Sequence, residues 1–188
     1  MTDIAAQKVD ARKQAFAARK TAHQLGSDDV ACQYLHDYLA TLGAYQIIAA
    51  YMPIRTEISP LALMTRLAAE GKTIALPVVV GAGQPLIFRV WTPDCDMETG
   101  AFGAMIPQDG PEVAPDVIVT PLLAFDKHGY RLGYGGGFYD RSFQQLRQQK
   151  SVIGIGFAYA GQQVPTVPTE PTDQRLDALA TERGVLEF

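Results

Sequence analysis

The sequence is poor in the residues that staple a chain or ligate a metal. Its 188 residues include two cysteines, Cys32 and Cys95, three histidines and one tryptophan. The cysteines are far apart, form no Cys-x-x-Cys pair and have no neighbouring histidine, so they read as idle or buried thiols rather than a disulfide framework or zinc site. His23, His36 and His128 lack ligand spacing and an adjacent nucleophile, and His128, two residues past Asp126, reads as surface loop. No run approaches the ~20 apolar residues of a membrane span, and Met1–Lys8 lacks the apolar core of a signal peptide, so a soluble, cytoplasmic protein is expected. Positive charge is also short: 16 Lys and Arg against 20 Asp and Glu, net −4, argue against a nucleic-acid partner. Internal repeats, low-complexity tracts and domain boundaries are absent. The length suits one substantial core, here expected to be a monomer.

Familiar phosphate-binding patterns are missing as well. There is no Gly-x-x-x-x-Gly-Lys-Ser/Thr; Gly133-Tyr134-Gly135 fails the dinucleotide fingerprint at Phe138, and Gly154-Ile155-Gly156 fails it at Tyr159. What is present is Gly129–Arg141, in which five of thirteen residues are glycine, bracketed by Arg131 and Arg141, with Asp140 just before the second arginine. Glycines bring backbone N–H groups close to a ligand, and arginine grips phosphate or carboxylate through a planar fork. A helix expected over Phe138–Lys150 would place the loop at a helix N-terminus, where an anion is favoured.

Around this loop the patterning is that of an α/β chain. Asp3–Gln24 reads as a basic amphipathic helix capped by Thr2 or Asp3, and Ser27 caps a second helix that Gly43 can close. Gln46–Tyr51 is a short buried strand, Ser59-Pro60 starts a helix over Leu61–Glu70, and Thr73–Val80 is a strand interrupted by Pro77. Strand, helix and strand in so short a span make a βαβ unit and favour a parallel sheet. Further strands are expected over Leu86–Trp91, Asp116–Leu123 and Ser151–Ala158, while Leu176–Arg183 fits either a short helix or an edge strand. Thr92–Pro115, long and without periodicity, is of the kind that covers a site. The expected architecture is a single domain: an open, mainly parallel sheet flanked by helices, with a ligand cleft at the carboxyl ends of the strands.

Several candidates stand between two readings. Lys8 and Arg12 share a helix face and could grip a polyphosphate together, or simply be solvated. Asp140 suits either the first turn of a helix or Mg2+ beside a phosphate. Phe125, Tyr134, Phe138 and Tyr139 could line a pocket for a planar ring or belong to the core. Glu57 and Asp173 are isolated carboxylates in proline-flanked loops and say little alone.

Leu123-Ala124-Phe125-Asp126, followed by Gly129 and Arg131 to Arg141, closely resembles the signature of the 5-formyltetrahydrofolate cyclo-ligases, or methenyltetrahydrofolate synthetases. The resemblance continues through Lys8-x-x-x-Arg12, Tyr51-x-Pro53 leading to Glu57, Leu76-Pro77-Val78-Val79, Pro115-Asp116-x-Ile118-Val119, and Asp173 with Asp177. The chain departs from the family pattern at Ile106, Leu122 and Leu86-Ile87. The resemblance implies an α/β ligase that uses ATP, with Mg2+ as cofactor, to convert 5-formyltetrahydrofolate into 5,10-methenyltetrahydrofolate. It places Lys8, Arg12 and Gly133, Tyr134, Gly135, Gly136, Gly137, Phe138 and Tyr139 around ATP, and makes Arg131 and Arg141 the catalytic phosphate partners. It assigns Glu57, Tyr134, Gly136, Phe138 and Tyr139 to the folate, and Asp140 and Asp173 to the metal.

Overall fold

Alternating faces of buried residues organise the molecule. A computed structural model describes residues 3–188. The chain runs α1 (Ile4–His23), α2 (Asp28–Thr41), β1 (Ile47–Ala49), α3 (Leu61–Ala69), β2 (Thr73–Val79), β3 (Leu86–Trp91), β4 (Met97–Thr99), β5 (Met105–Pro107), β6 (Val117–Thr120), β7 (Ala124–Phe125), β8 (Arg131–Leu132), α4 (Phe138–Arg147), β9 (Ile153–Phe157), β10 (Ala178–Thr181) and β11 (Gly184–Glu187).

Seven strands form one sheet in the order β11-β10-β9-β6-β1-β2-β3, parallel from β10 to β2 and antiparallel at both edges. The period of two sorts the side chains. Ile48, Ile74, Leu76, Val117 and Val119 meet α2 and α3 on one face, and Ala49, Ala75 and Ile118 meet Phe143 and Leu146 of α4 on the other. Burial on both faces is what the near-continuous apolar runs demand, and it makes a three-layer α/β domain. Gly154, which belongs to no phosphate loop, lies under α4: a Cβ there would come within 2.8 Å of the Phe143 ring.

Several expectations about element ends are corrected. Asp3 caps α1, its carboxylate accepting from Ala5 N, while Thr2 lies outside the described residues. Gly43 does not close α2: Leu42 turns extended and packs on the core, and the chain leaves without a left-handed residue. Ser27 makes no side-chain cap bond; Asp28 instead accepts from Ser59 N and from the Tyr159 hydroxyl. Pro60 stands one residue before α3 rather than within it, and α4 stops at Arg147. Pro77 does not interrupt β2. Thr73 and Ala75 bond toward β1, so alternation aims the missing N–H of Pro77 to the same side, beyond the end of that short strand. The tail is two strands, of which β10 is interior and only β11 is an edge. The segment 92–115 is not structureless: β4 and β5 pair as a hairpin around a single 3-10 turn, Ala101–Gly103.

Asp116 ties the start of β1 to the sheet, its Oδ2 accepting from Gln46 N and Ile47 N while Oδ1 pairs with Lys150. Burial pushes this carboxyl upward, but Lys150 and the two N–H groups outweigh it and bring its pKa from 3.8 down to about 2. A depressed carboxyl stabilises the fold above its unfolded pKa and loses that contribution as pH falls through the folded one. Stability should therefore drop between about pH 4 and pH 2. Chemical denaturation of Asp116→Asn across that range should give a flatter acid limb than the wild-type protein.

Candidate active site

β1 hands on to β2 on one side while β6 pairs on the other, so the connections diverge between β1 and β6. That is where open parallel sheets bind ligands. Tyr51 and Met52, just past β1, and Pro121, just past β6, line a cleft of about 660 Å3. It is of ordinary size for a small-molecule site.

One end of the cleft is built by the glycine loop and α1. Gly137, at φ +63°, sits at the N-terminal end of α4, and Gly135, at φ +102°, passes so close to α1 that a Cβ would lie 3.1 Å from the Arg12 guanidinium carbon. Arg12 Nε donates to Gly133 O at 3.0 Å, pinning the loop to the helix. Four residues earlier on the same face, Lys8 donates to Glu170 and Asp173, each at 2.7 Å. Burial works against the Lys8 charge, but these two carboxylates outweigh it and raise its pKa above the ordinary lysine value.

Arg131 and Asp140 form the floor of the same end. The Arg131 side chain is 6% exposed; its Nη1 donates to Gln174 O and its Nη2 to Asp140 Oδ1 at 2.8 Å. Asp140 Oδ1 also accepts from Gln174 N, the residue after Asp173. Arg141 lies at the rim, bonded to Gln84 O and Gly136 O and resting over the Phe138 ring. Among the described residues, no three His, Cys, Asp or Glu side chains gather into a metal cage. Asp140 and Asp173 nonetheless fit Mg2+, which is commonly held by one or two carboxylates together with phosphate oxygens. In each, the hydrogen bonds seen among the described residues fall on one oxygen, Oδ1 of Asp140 and Oδ2 of Asp173.

The other end is apolar. Ile54, Pro77, Val79, Leu86, Phe138 and Tyr139 line it, with Phe102, Met105 and Ile106 of the 97–107 hairpin on one side. Phe102 is a non-glycine residue at φ +59°, 72% exposed, with its ring edge-on to Phe138 at 5.9 Å. Set into this end is one buried carboxylate, Glu57: its Oε2 accepts from Ile54 N and its Oε1 from the Tyr134 hydroxyl, both at 2.9 Å. Burial raises the Glu57 pKa above the ordinary value, opposed by those two donors and by the charges of Arg19 and Arg55. Burial and then Glu57 push the Tyr134 hydroxyl up to about 12.

An end lined by lysine, arginine and glycine and an aromatic end with one buried carboxylate share a single cavity. A sequence model of the 5-formyltetrahydrofolate cyclo-ligase family matches residues 5–182. The chain belongs to that family, a family of ligases. It is 43% identical over 132 residues to the 5-formyltetrahydrofolate cyclo-ligase of Haemophilus influenzae, covering 67% of this chain and 70% of the relative. The Escherichia coli K12 enzyme of the same name is 34% identical over 148 residues, 75% of this chain and 80% of the relative. Among solved structures, Aquifex aeolicus 5,10-methenyltetrahydrofolate synthetase superposes with TM-score 0.75 at 29% identity over 96% of this chain and 92% of that one. The Mycoplasma pneumoniae synthetase gives 0.72 at 25% identity over 93% and 98%.

Every residue to which the resemblance assigns a role toward ATP, folate or metal lines the one cleft: Lys8, Arg12, Glu57, Arg131, Gly133 to Arg141, and Asp173. Phe125 does not; it is core at 1% exposure. Asp126 likewise is structural, accepting from His128 N and Tyr130 N of its own turn and from Val167 N of the proline-rich segment, and His128 is exposed. Sequence reasoning misses Arg19, Glu170 and Phe102. Arg19 carries a signal, since it continues the helical stripe of Lys8 and Arg12; Glu170, in a proline-rich turn, carries none.

Because Asp140 is the charge partner of a buried arginine, Asp140→Asn should unsettle the fold before any ligand is added. Breaking a fully buried pair costs about 3–5 kcal/mol, and partial exposure of Asp140 reduces that here to about 2–3 kcal/mol. Thermal denaturation of the ligand-free variant should show a melting temperature lower by roughly 4–10 °C.

Proposed function

We propose that the chain catalyses the ATP- and Mg2+-dependent cyclisation of 5-formyltetrahydrofolate to 5,10-methenyltetrahydrofolate, releasing ADP and phosphate. One observation carries the reading: the arginine- and glycine-lined end and the aromatic end meet in one cavity at Tyr134, Phe138 and Tyr139. A polyphosphate and a planar heterocycle bound there would be neighbours. Family membership supports the folate class and the type of reaction.

In this reading Lys8, Arg12 and the N–H groups from Gly133 to Tyr139 hold the triphosphate, and Glu57 accepts hydrogen bonds from the pterin. The formyl oxygen attacks the γ-phosphorus, forming an O–P bond as the bond to ADP breaks. N10 then attacks the activated carbon and loses its proton; the C–O bond breaks and phosphate leaves as the ring closes. An amide oxygen is a poor leaving group, and phosphorylation makes it a good one. The protein's part is to align the reactants and neutralise developing charge. Arg131, fixed by Asp140 and Gln174, and Arg141 at the rim supply that charge. Asp140 and Asp173 would hold Mg2+ together with phosphate oxygens, where the ion would supply charge neutralisation. Two free thiols, Cys32 and Cys95, suit a reducing cytoplasm.

Protein supplied with ATP, Mg2+ and 5-formyltetrahydrofolate should generate the methenyltetrahydrofolate absorbance with one ADP per product. Folded protein that binds both ligands yet releases no ADP would show a binding module instead, and ADP release without the absorbance would show a ligase or kinase for another carbonyl substrate. Lys8→Met should raise the KM for ATP by about 10- to 100-fold, the value of a hydrogen bond to a charged group, with the folate KM changed far less.

A further inference from the structure

Helix α1 is inside out. It exposes Val9, 49% accessible, while its buried residues are Lys8, Ala15, Arg19 and Ala22, a stripe at helical spacing. Lys8 turns to the phosphate end; Arg19 has no such neighbour. It is 1% exposed, its Nε donates to Thr56 Oγ1 at 3.2 Å, and its Nη2 donates to the Tyr134 hydroxyl at 2.7 Å. Its Nη1 lies 3.6 Å from Glu57 Oε1 and, fully buried, makes no hydrogen bond. The guanidinium is confined between the Phe16 and Tyr134 rings, 5.6 and 5.4 Å from their centres.

Proton inventory fixes the direction of this chain. Arginine only donates, so the Tyr134 oxygen must accept from Arg19 and send its own proton to Glu57. Tyr134 then has no hydroxyl proton for a ligand, and Glu57 is presented as an acceptor with a lone pair left on each oxygen. A buried, isolated carboxyl would instead tend to keep its proton and become a donor.

We propose that Arg19 is a positioning residue for the folate: through Tyr134 and its own charge it holds Glu57 as an ionised acceptor for the N–H groups of the pterin. This rests on the cyclo-ligase reading above. The groups facing Glu57 are Arg19 from α1, Arg55 from its own loop, Tyr51 beyond β1, Tyr134 from the glycine loop and Tyr139 from α4. Among them only Arg19 is a buried cation.

Two measurements on Arg19→Met, Arg19→Gln and Arg19→Lys test this. Steady-state kinetics should show the folate KM rising at least tenfold in the neutral variants with the ATP KM within twofold, and substantial recovery in Arg19→Lys, which keeps the charge. NMR titration of ligand-free protein with carboxyl-labelled glutamate should show the Glu57 midpoint moving upward in the neutral variants and returning toward wild type in Arg19→Lys. A folded neutral variant with unchanged folate KM and unchanged Glu57 midpoint overturns the proposal. So does an equal rise of both KM values with the midpoint unmoved, the behaviour of a merely structural arginine. If wild-type protein fails to turn over 5-formyltetrahydrofolate, the cyclo-ligase reading falls, while the Glu57 midpoint still decides whether Arg19 keeps that carboxylate ionised.

Discussion

The cleft depends on one helix laying its cations against acceptors that lie far away in the chain. Lys8 reaches Glu170 and Asp173, Arg12 reaches the carbonyl of Gly133, and Arg19 reaches Tyr134 and Thr56. Between them these bonds fix the proline-rich turn, the glycine loop and the segment leading to Glu57, none of which belongs to the main sheet. Charged groups removed from water must find partners, and here the need for partners is what aligns three loops around one cavity.

The sheet supplies the other half of the arrangement. Parallel strands buried on both faces end together at one edge, and the divergence of connections between β1 and β6 opens a gap that no crossover fills. The glycine loop enters that gap after the β7–β8 hairpin and leaves it as α4, whose Phe143 is received by the bare backbone of Gly154. Positioning of the loop is therefore a packing result at one end and an electrostatic one at the other. The aromatic end is completed by the 97–107 hairpin, which sets Phe102 edge-on to Phe138.

Much of this is legible in the order of the residues. Period-two burial, the βαβ unit and the concentration of glycine beside two arginines are local signals, and local geometry answers to local sequence. Element ends are less legible, because Leu42, Pro77 and Leu176–Arg183 are settled by what they pack on and by which neighbour strand has already ended. The stripe of Lys8, Arg12 and Arg19 is visible as spacing, yet spacing alone suits a solvated face equally well.

Read alone, the sequence determined the class of fold, the glycine- and arginine-rich loop and the family, because those rest on residue type and short-range order. Tertiary structure alone decided that α1 buries Lys8 and Arg19, that Asp140 pairs with Arg131, and that Arg19, Tyr134 and Glu57 form one hydrogen-bonded chain. The physical reason is common to all three: a charge's role follows from the dielectric around it and the partner opposite it, and the fold sets both.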